Sequence, residues 1–414
     1  MNVTVIDSIM GAGKTSFAIQ TMKNAPETQK FIYITPFLDE VERIKESVPE
    51  RNFKEPDIKH GHGTKLSSLK KLVSQGENIV TTHSLFSMID NELKELFEWE
   101  NYILIIDEVM EVISQLKTVK RDDIPVMLKS GLIEIEPETN RVIWTADTSL
   151  NTKYNDVKQY ALSGNLYAVN GVAFLWSFPA QVFDLFDHTF ILTYLFEGQL
   201  QKYYYDYHSI KYEKKSVIQE NGVFKLVPYF KEDRQQFKEL ISIYEGKLNN
   251  IGDKETALSK SWFTSPHNKP KITRLKHDLY SYFRTVQKAK SEQILWTTFK
   301  DSKANIHGKG FSKVAPKGRP DIEGTACFIP FTTRATNKYK HKSVLAFCLN
   351  RYMNPLESHF FKQRNIEVDQ DLLALSDMLQ WIFRSRVREG QPIEIYIPSK
   401  RMRKLLRAWL DSEI

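Results

Sequence analysis

The amino-acid sequence predicts an α/β protein made of two parallel-sheet domains, with a small β-rich insertion in the first and a connector between them. Three observations lead there. Short apolar runs alternate with helical patterns through roughly the first hundred residues. A hairpin-rich stretch then interrupts the alternation, and the α/β pattern resumes near residue 294. A chain of 414 residues suits two or three domains of this kind.

Residues 3–6, 31–34, 79–80 and 103–106 read as buried strands, and 15–22, 38–44 and 85–96 as the helices between them. That order predicts a parallel sheet covered on both faces. In 111–178, apolar runs at 132–135 and 142–145 flank a turn at 137–140, and runs at 166–169 and 172–176 flank Asn170-Gly171, a strong hairpin signal. The first domain is therefore placed at 1–200 with the insertion at 111–178. Residues 201–265 are mixed and polar and read as the connector, with Tyr203, Tyr204, Tyr205 and Tyr207 expected to pack on a strand. The second domain, 266–414, carries strand patterns at 294–299, 326–331, 344–349 and 393–397.

The hydrophobic fraction is 41% and the charged fraction 26%, enough to bury a full core and unlike a disordered chain. Apolar runs such as 172–178 fall short of the ~18 residues a membrane helix requires, and the N-terminus lacks the layout of a signal peptide. A cytoplasmic protein with no membrane partner is expected, in the host cytoplasm if the chain is phage-encoded. Cys327 and Cys348 are too few for a disulfide framework and have no ligand-spaced neighbours, so plain thiols are expected. The net charge of +7 is unevenly spread: residues 1–265 sum to −7 and residues 266–414 to +14. A basic half of that size attracts polyanions.

The first chemical motif follows the first strand. Ser8-Ile9-Met10-Gly11-Ala12-Gly13-Lys14-Thr15 matches the phosphate-binding loop G-x-x-x-x-G-K-[ST] except at Ser8. Gly11 and Gly13 let backbone amides turn toward phosphate oxygens, and a helix starting near Lys14 aims its positive end at the same place. Gly11, Ala12, Gly13, Lys14, Thr15 and Ser16 form the expected nucleotide-binding set, with Lys14 on the β/γ-phosphates and Thr15 on Mg²⁺. The second motif, Ile103-Leu104-Ile105-Ile106-Asp107-Glu108, is a buried strand ending in adjacent carboxylates. Asp107 is expected to hold Mg²⁺ through water and Glu108 to polarise the water that attacks the γ-phosphate. Together the motifs predict an ATP hydrolase using ATP and Mg²⁺.

Beyond these two, the sequence resembles superfamily 2 (DExx-box) helicases and translocases. Gly11-Ala12-Gly13-Lys14-Thr15 and Asp107-Glu108-Val109-Met110 look like their motifs I and II. Ile34-Thr35-Pro36 is similar to motif Ia, and Val80-Thr81-Thr82-His83 to the next strand-contact motif. Ile191-Leu192-Thr193-Tyr194 stands where motif III couples hydrolysis to strand binding, departing from the usual Ser-Ala-Thr. Leu295-Trp296-Thr297-Thr298-Phe299 looks like motif IV, Thr333-Arg334-Ala335-Thr336-Asn337 like motif V, and residues 380–388 like motif VI. The order of these motifs and the compact chain look most like bacteriophage-encoded DNA helicases. No segment upstream of the loop carries an adenine-reading glutamine motif, so a DEAD-box RNA helicase is not expected.

The resemblance implies two RecA-like domains, with Thr193 in the coupling role and Gln380, Arg384 and Arg388 completing catalysis. On one continuous helix these three share a face, and Arg386 is turned away, making Arg384 the preferred arginine finger and Arg388 a substitute for the family's second arginine. The implied strand contacts are Thr35, Thr82, His83, Thr298, Arg334 and Thr336. A basic run of Lys338, Lys340, His341 and Lys342 around Tyr339, and Lys400, Arg401, Arg403, Lys404 and Arg407 after Pro398, can add phosphate contacts or face solvent. The expected partners are single-stranded and forked duplex DNA, with RNA left open, and proteins of phage DNA replication or recombination. Two other readings fit the same motifs: a viral DNA-packaging motor ATPase, and a non-unwinding ATP-dependent nucleic-acid clamp or annealing protein.

Overall fold

The computed structural model describes residues 2–59, 63–313, 321, 323–333 and 337–414. The chain forms two compact α/β units built on parallel-strand sheets. The first comprises Met1–Ser8, Ala12–Phe230 and Met353–Val368, and the second Ile9–Gly11, Lys231–Tyr352 and Asp369–Ile414. The expected connector is thus divided at Phe230, and residues from the C-terminal half return to the first unit.

In the first unit, strands β1 (Val3–Asp7), β2 (Lys30–Thr35), β3 (Ile79–Thr82) and β4 (Tyr102–Asp107) are the predicted apolar runs. The insertion follows as β5 (Ile113–Gln115), β6 (Ile133–Ile135), β7 (Val142–Trp144), β8 (Leu166–Val169) and β9 (Ala173–Ser177). The main sheet is completed by β10 (His188–Thr193), β11 (Glu213–Glu220) and β12 (Val223–Pro228), giving the order β12-β11-β1-β10-β4-β2-β3. Only β11–β12 pair antiparallel in this sheet. All five residues of β1 are buried, as expected of a strand covered on both faces.

The insertion is more than two hairpins. Helices Asp123–Lys129 and Asn155–Leu162 pack with β6, β7 and β8 around Ile124, Met127, Trp144, Val157 and Phe174, so it has a core of its own. The tyrosines expected on a strand lie instead in the helix Leu200–Tyr207, where Tyr203, Tyr204 and Tyr205 are buried.

The second unit holds four parallel strands, β13 (Ile241–Ile243), β14 (Ile294–Thr297), β15 (Val344–Phe347) and β16 (Ile393–Tyr396), in the order β13-β16-β15-β14. The run 326–331 is not a strand. The Asp321 carboxylate takes the amides of Thr325 and Ala326, and only a single bridge, Trp296 to Phe328, joins the segment to the sheet. Among the described residues no helix is long and apolar enough to cross a membrane.

Candidate functional site

The register of the first sheet gathers the predicted chemistry at one edge. Asp7 of β1 lies opposite Thr193 of β10, and Leu192 lies opposite Asp107 of β4. The next amides continue the ladder: Ser8 N donates to Thr193 O at 3.1 Å and Glu108 N to Leu192 O at 2.9 Å. With strands about 4.8 Å apart, the phosphate loop and the carboxylate pair leave the sheet roughly 10 Å from each other, with Thr193 between. Ligands in open α/β sheets bind outside the carboxyl ends of the strands, where these residues stand.

The loop is shaped for an anion. Gly11 and Gly13 have φ of +92° and +97°, a region costly for residues with a Cβ. The helix Lys14–Asn24 begins with no side-chain cap and no acidic residue in its first turn, leaving its N-terminal amides to a ligand. Lys14 Nζ donates to the Ser8 carbonyl, and Thr15 is half-buried beside it in sequence.

The carboxylate pair is unlike two surface acids. Asp107 is buried and accepts the Tyr33 hydroxyl at 2.9 Å. Burial, reinforced by the Glu108 charge, pushes Asp107 up to about 7, and the Tyr33 bond lowers it only in part. Glu108 adopts φ of +65°, a strained left-handed backbone, and its Oε2 is buried without a hydrogen-bond partner among the described residues. An orphaned carboxylate oxygen next to a carboxyl held against ionisation is a donor set that a cation and a bound water satisfy. With the uncapped loop, these residues fit a nucleoside triphosphate and a divalent ion.

Three supporting residues had no signal in the sequence. Tyr33 is 74 positions from its partner Asp107. Gln201, fully buried, accepts the Met110 amide at 3.1 Å and so fixes the chain just past the carboxylates. Phe224 of β12 lies against Gly13, where an added Cβ would stand 2.2 Å from its ring, and Gln20 holds the Phe224 backbone through both its N–H and C=O. All three act through long-range contacts that no local spacing encodes.

The remaining candidates divide. Thr35 and Thr193, at the ends of β2 and β10, are fully buried, with hydroxyls that find no partner among the described residues. Thr82 caps the short helix His83–Phe86 by accepting from Leu85 N. Thr298 is fully buried and donates to Cys348 O at 2.9 Å, so its hydroxyl proton is already committed. Arg334 and Thr336 lie outside the described residues.

The face shared by Gln380, Arg384 and Arg388 does not exist as expected. The helix Gln370–Ile382 ends before Arg384, and Arg388 sits in a separate 3₁₀ turn, Arg386–Glu389. The chain tightens because Arg384 N and Ser385 N bond back three residues, to Trp381 O and Ile382 O, and Ser385 is extended. Gln380 and Arg384 are buried, whereas Arg388 donates to Asn337 Oδ1 and Arg386 to Pro392 O.

The basic segments are also partly structural. Tyr339 is buried and donates to Asp321, which removes it as a stacking ring, and Lys342 is fully buried. Arg401 bonds Asp371, Asn350 and two carbonyls, Arg403 bonds the carbonyls of Ile397 and Pro398, and Arg407 pairs with Glu245. Lys400 and Lys404 remain exposed.

Three family models match the chain: the type III restriction enzyme res subunit over 2–128, the YonV middle domain over 113–176, and the YonV C-terminal Rossmann-like domain over 235–410. The SPbeta prophage-derived uncharacterized protein YonV of Bacillus subtilis (strain 168) is 42% identical over 424 residues, covering 99% of both chains. Among solved structures, the DUF1998 helicase MrfA bound to DNA aligns with TM-score 0.39 and 11% identity, over 99% of this chain and 46% of that one. The Mycobacterium smegmatis helicase Lhr bound to ssDNA and AMP-PNP aligns with TM-score 0.34 and 11% identity, over 98% and 46%. This chain spans about half the length of those solved proteins.

Proposed function

We infer that this chain, which belongs to the YonV family and is a phage-type superfamily 2 helicase protein, hydrolyses ATP to move along single-stranded nucleic acid and separate duplex DNA. The observation that carries the reading is the shared sheet edge of the uncapped loop, Thr193 and the Asp107–Glu108 pair. Lys14 and the amides of 11–16 hold the β- and γ-phosphates. Thr15 and Asp107 hold Mg²⁺, which when bound neutralises phosphate charge. The orphaned Glu108 carboxylate oxygen orients the attacking water and accepts its proton. Arg384 stabilises charge developing on the γ-phosphate, with Gln380 and Arg388 in support.

Thr35, Thr82 and His83 grip strand phosphates, and Thr193 couples that grip to hydrolysis. The setting is phage DNA replication or recombination. The test measures ATP turnover alone and with single-stranded DNA, single-stranded RNA or a forked duplex, alongside strand displacement on the fork. DNA-stimulated turnover with displacement is expected, lost in Lys14→Ala and stopped in Glu108→Gln with nucleotide binding kept. Stimulation by RNA alone would reassign the substrate, and stimulation without displacement would leave a clamp or annealing protein. Unchanged turnover in either variant would remove the assigned site.

A further inference from the structure

A cleft of about 600 Å³ in the first unit plays no part in the site above. Its walls come from the insertion, from the helix Asn91–Glu98, from the segment after β9 and from the end of the helix Leu200–Tyr207. Lys94 and Arg141 bring positive charge from two separate elements, and Asn165, Gln181 and Ser209 add neutral donors. None of its lining residues is a carboxylate, although residues 1–265 carry a net −7. Two other clefts of similar size contain Glu55 with Asp57, and Asp253 with Asp278.

The donors are set by backbone structure. A β-bridge pairs Arg141 with Tyr167, and Ala168 N donates to Asn140 O at 2.7 Å, fixing where the Arg141 side chain starts. Asn165 is held through its carbonyl, which accepts Ser177 N at 2.8 Å. The cations are only lightly engaged: Lys94 Nζ donates to Asn91 Oδ1 at 3.2 Å, and Arg141 Nε is 3.6 Å from Glu136. His208, on the same wall, holds Nε2 buried with no hydrogen-bond partner among the described residues. Burial lowers Lys94 from its ordinary range, a loss that an arriving anion reverses. The rings cannot serve as a base platform, because Arg364 already lies 5.3 Å from the Tyr167 ring centroid and 4.5 Å from that of Tyr207.

We propose that this cleft binds a phosphate group, supplied by the backbone of a nucleic-acid strand that runs past the insertion. Its lining offers donors and no competing acid, which is the chemistry of backbone positioning without base reading. Its size suits a ligand of about one nucleotide. The strand as the source rests on the nucleic-acid reading above; the phosphate site itself does not.

The test uses the full chain without ATP. Binding of a labelled thymidine oligonucleotide is followed by anisotropy across a salt series, for the parent and for Lys94→Gln/Arg141→Gln. The expected result is an affinity loss of about tenfold at low salt and a log–log salt slope shallower by roughly 1.4, from ~0.7 per lost contact. Turnover in the absence of nucleic acid should be unchanged. In parallel arms, inorganic phosphate and thymidine monophosphate are tested for a rise in the melting temperature of the parent that the variant lacks. If only these arms respond, the phosphate site stands with a free phosphorylated ligand as its source. Equal behaviour of parent and variant in every arm overturns the proposal, whatever the ATPase assays give.

Discussion

Replacing Gly13 by alanine should disable the phosphate loop far more than the same change at Gly11, and the difference can be worked out from the structure. Both glycines sit at positive φ, +92° and +97°, so each substitution carries about 1–2 kcal/mol of backbone strain. A Cβ on Gly11 meets nothing within 4 Å, whereas one on Gly13 would fall 2.2 Å from Phe224 Cε1. The ring cannot simply withdraw, because Gln20 pins the Phe224 backbone through hydrogen bonds of 2.9 and 3.0 Å. Overpacking of this kind adds about 1–3 kcal/mol, bringing Gly13→Ala to about 2–5 kcal/mol. Hydrogen exchange of the Phe17 and Phe224 amides reads local opening, where 1.4 kcal/mol is about tenfold. Exchange should rise by roughly 30- to 5,000-fold in Gly13→Ala and by roughly 5- to 30-fold in Gly11→Ala. Adding Phe224→Ala to Gly13→Ala should recover the overpacking part, a coupling of about 1–3 kcal/mol in a double-mutant cycle. Equal effects at the two glycines, or no coupling to Phe224, would refute the idea that the ring sets the loop.

Other outcomes follow from single residues. Arg51 is buried and donates to the carbonyls of Met22, Ala25, Pro26 and Gln29, so Arg51→Ala should cost about 3–5 kcal/mol in urea unfolding, and lysine, lacking the planar fork, should not rescue it. His208 is lowered to about 4 by burial and then by Arg364. The unfolded chain therefore takes up its proton first, and stability falls as pH drops from about 6.5 toward 4; His208→Gln should remove up to ~3 kcal/mol of that acid loss in melts across this window. Arg384→Ala should lower turnover on the order of 10³-fold with nucleotide affinity kept, Arg386→Ala much less, and Arg388→Ala between them; equal mild effects would remove the finger. Replacing the Asn170-Gly171 hairpin with a short linker should spare strand-stimulated ATPase but reduce unwinding, and unchanged unwinding per ATP in a folded variant would exclude the insertion from strand separation.

What could be read from the sequence follows the range of the forces involved. The strands 3–6, 31–34, 79–80 and 103–106 announce themselves because a parallel strand buried on both faces must be apolar throughout. The loop 8–15 is legible because phosphate binding needs backbone conformations that only glycine supplies. Strand β13 escaped because it is three residues long, and Ala326–Phe331 misled because its amides answer to the Asp321 carboxylate rather than a neighbouring strand. The motif VI arginines were placed on one helix because periodicity cannot see the turn at Arg384 and Ser385 that ends it. Helices Asp123–Lys129 and Asn155–Leu162 went unseen because they are short and their stability comes from the insertion's own core. Tyr33 and Phe224 belong to the site only through contacts spanning 74 and 211 positions, which no local pattern carries.

The return of Met353–Val368 to the first unit bears on how such a gene can be inherited. In that segment Phe360 meets Tyr167 and Tyr207, Phe361 meets Tyr203, and Arg364 donates to Thr139 O at 2.7 Å. A chain cut after Phe230 would leave these aromatic partners facing water, so no single breakpoint yields a finished N-terminal module. Phage genomes exchange parts by recombination, and a crossover anywhere between the codons for Phe230 and Met353 would join one lineage's tyrosines to another's strap. The two ends of this gene are thereby bound to travel as one unit, and a hybrid survives only where the strap and its aromatic seat still match.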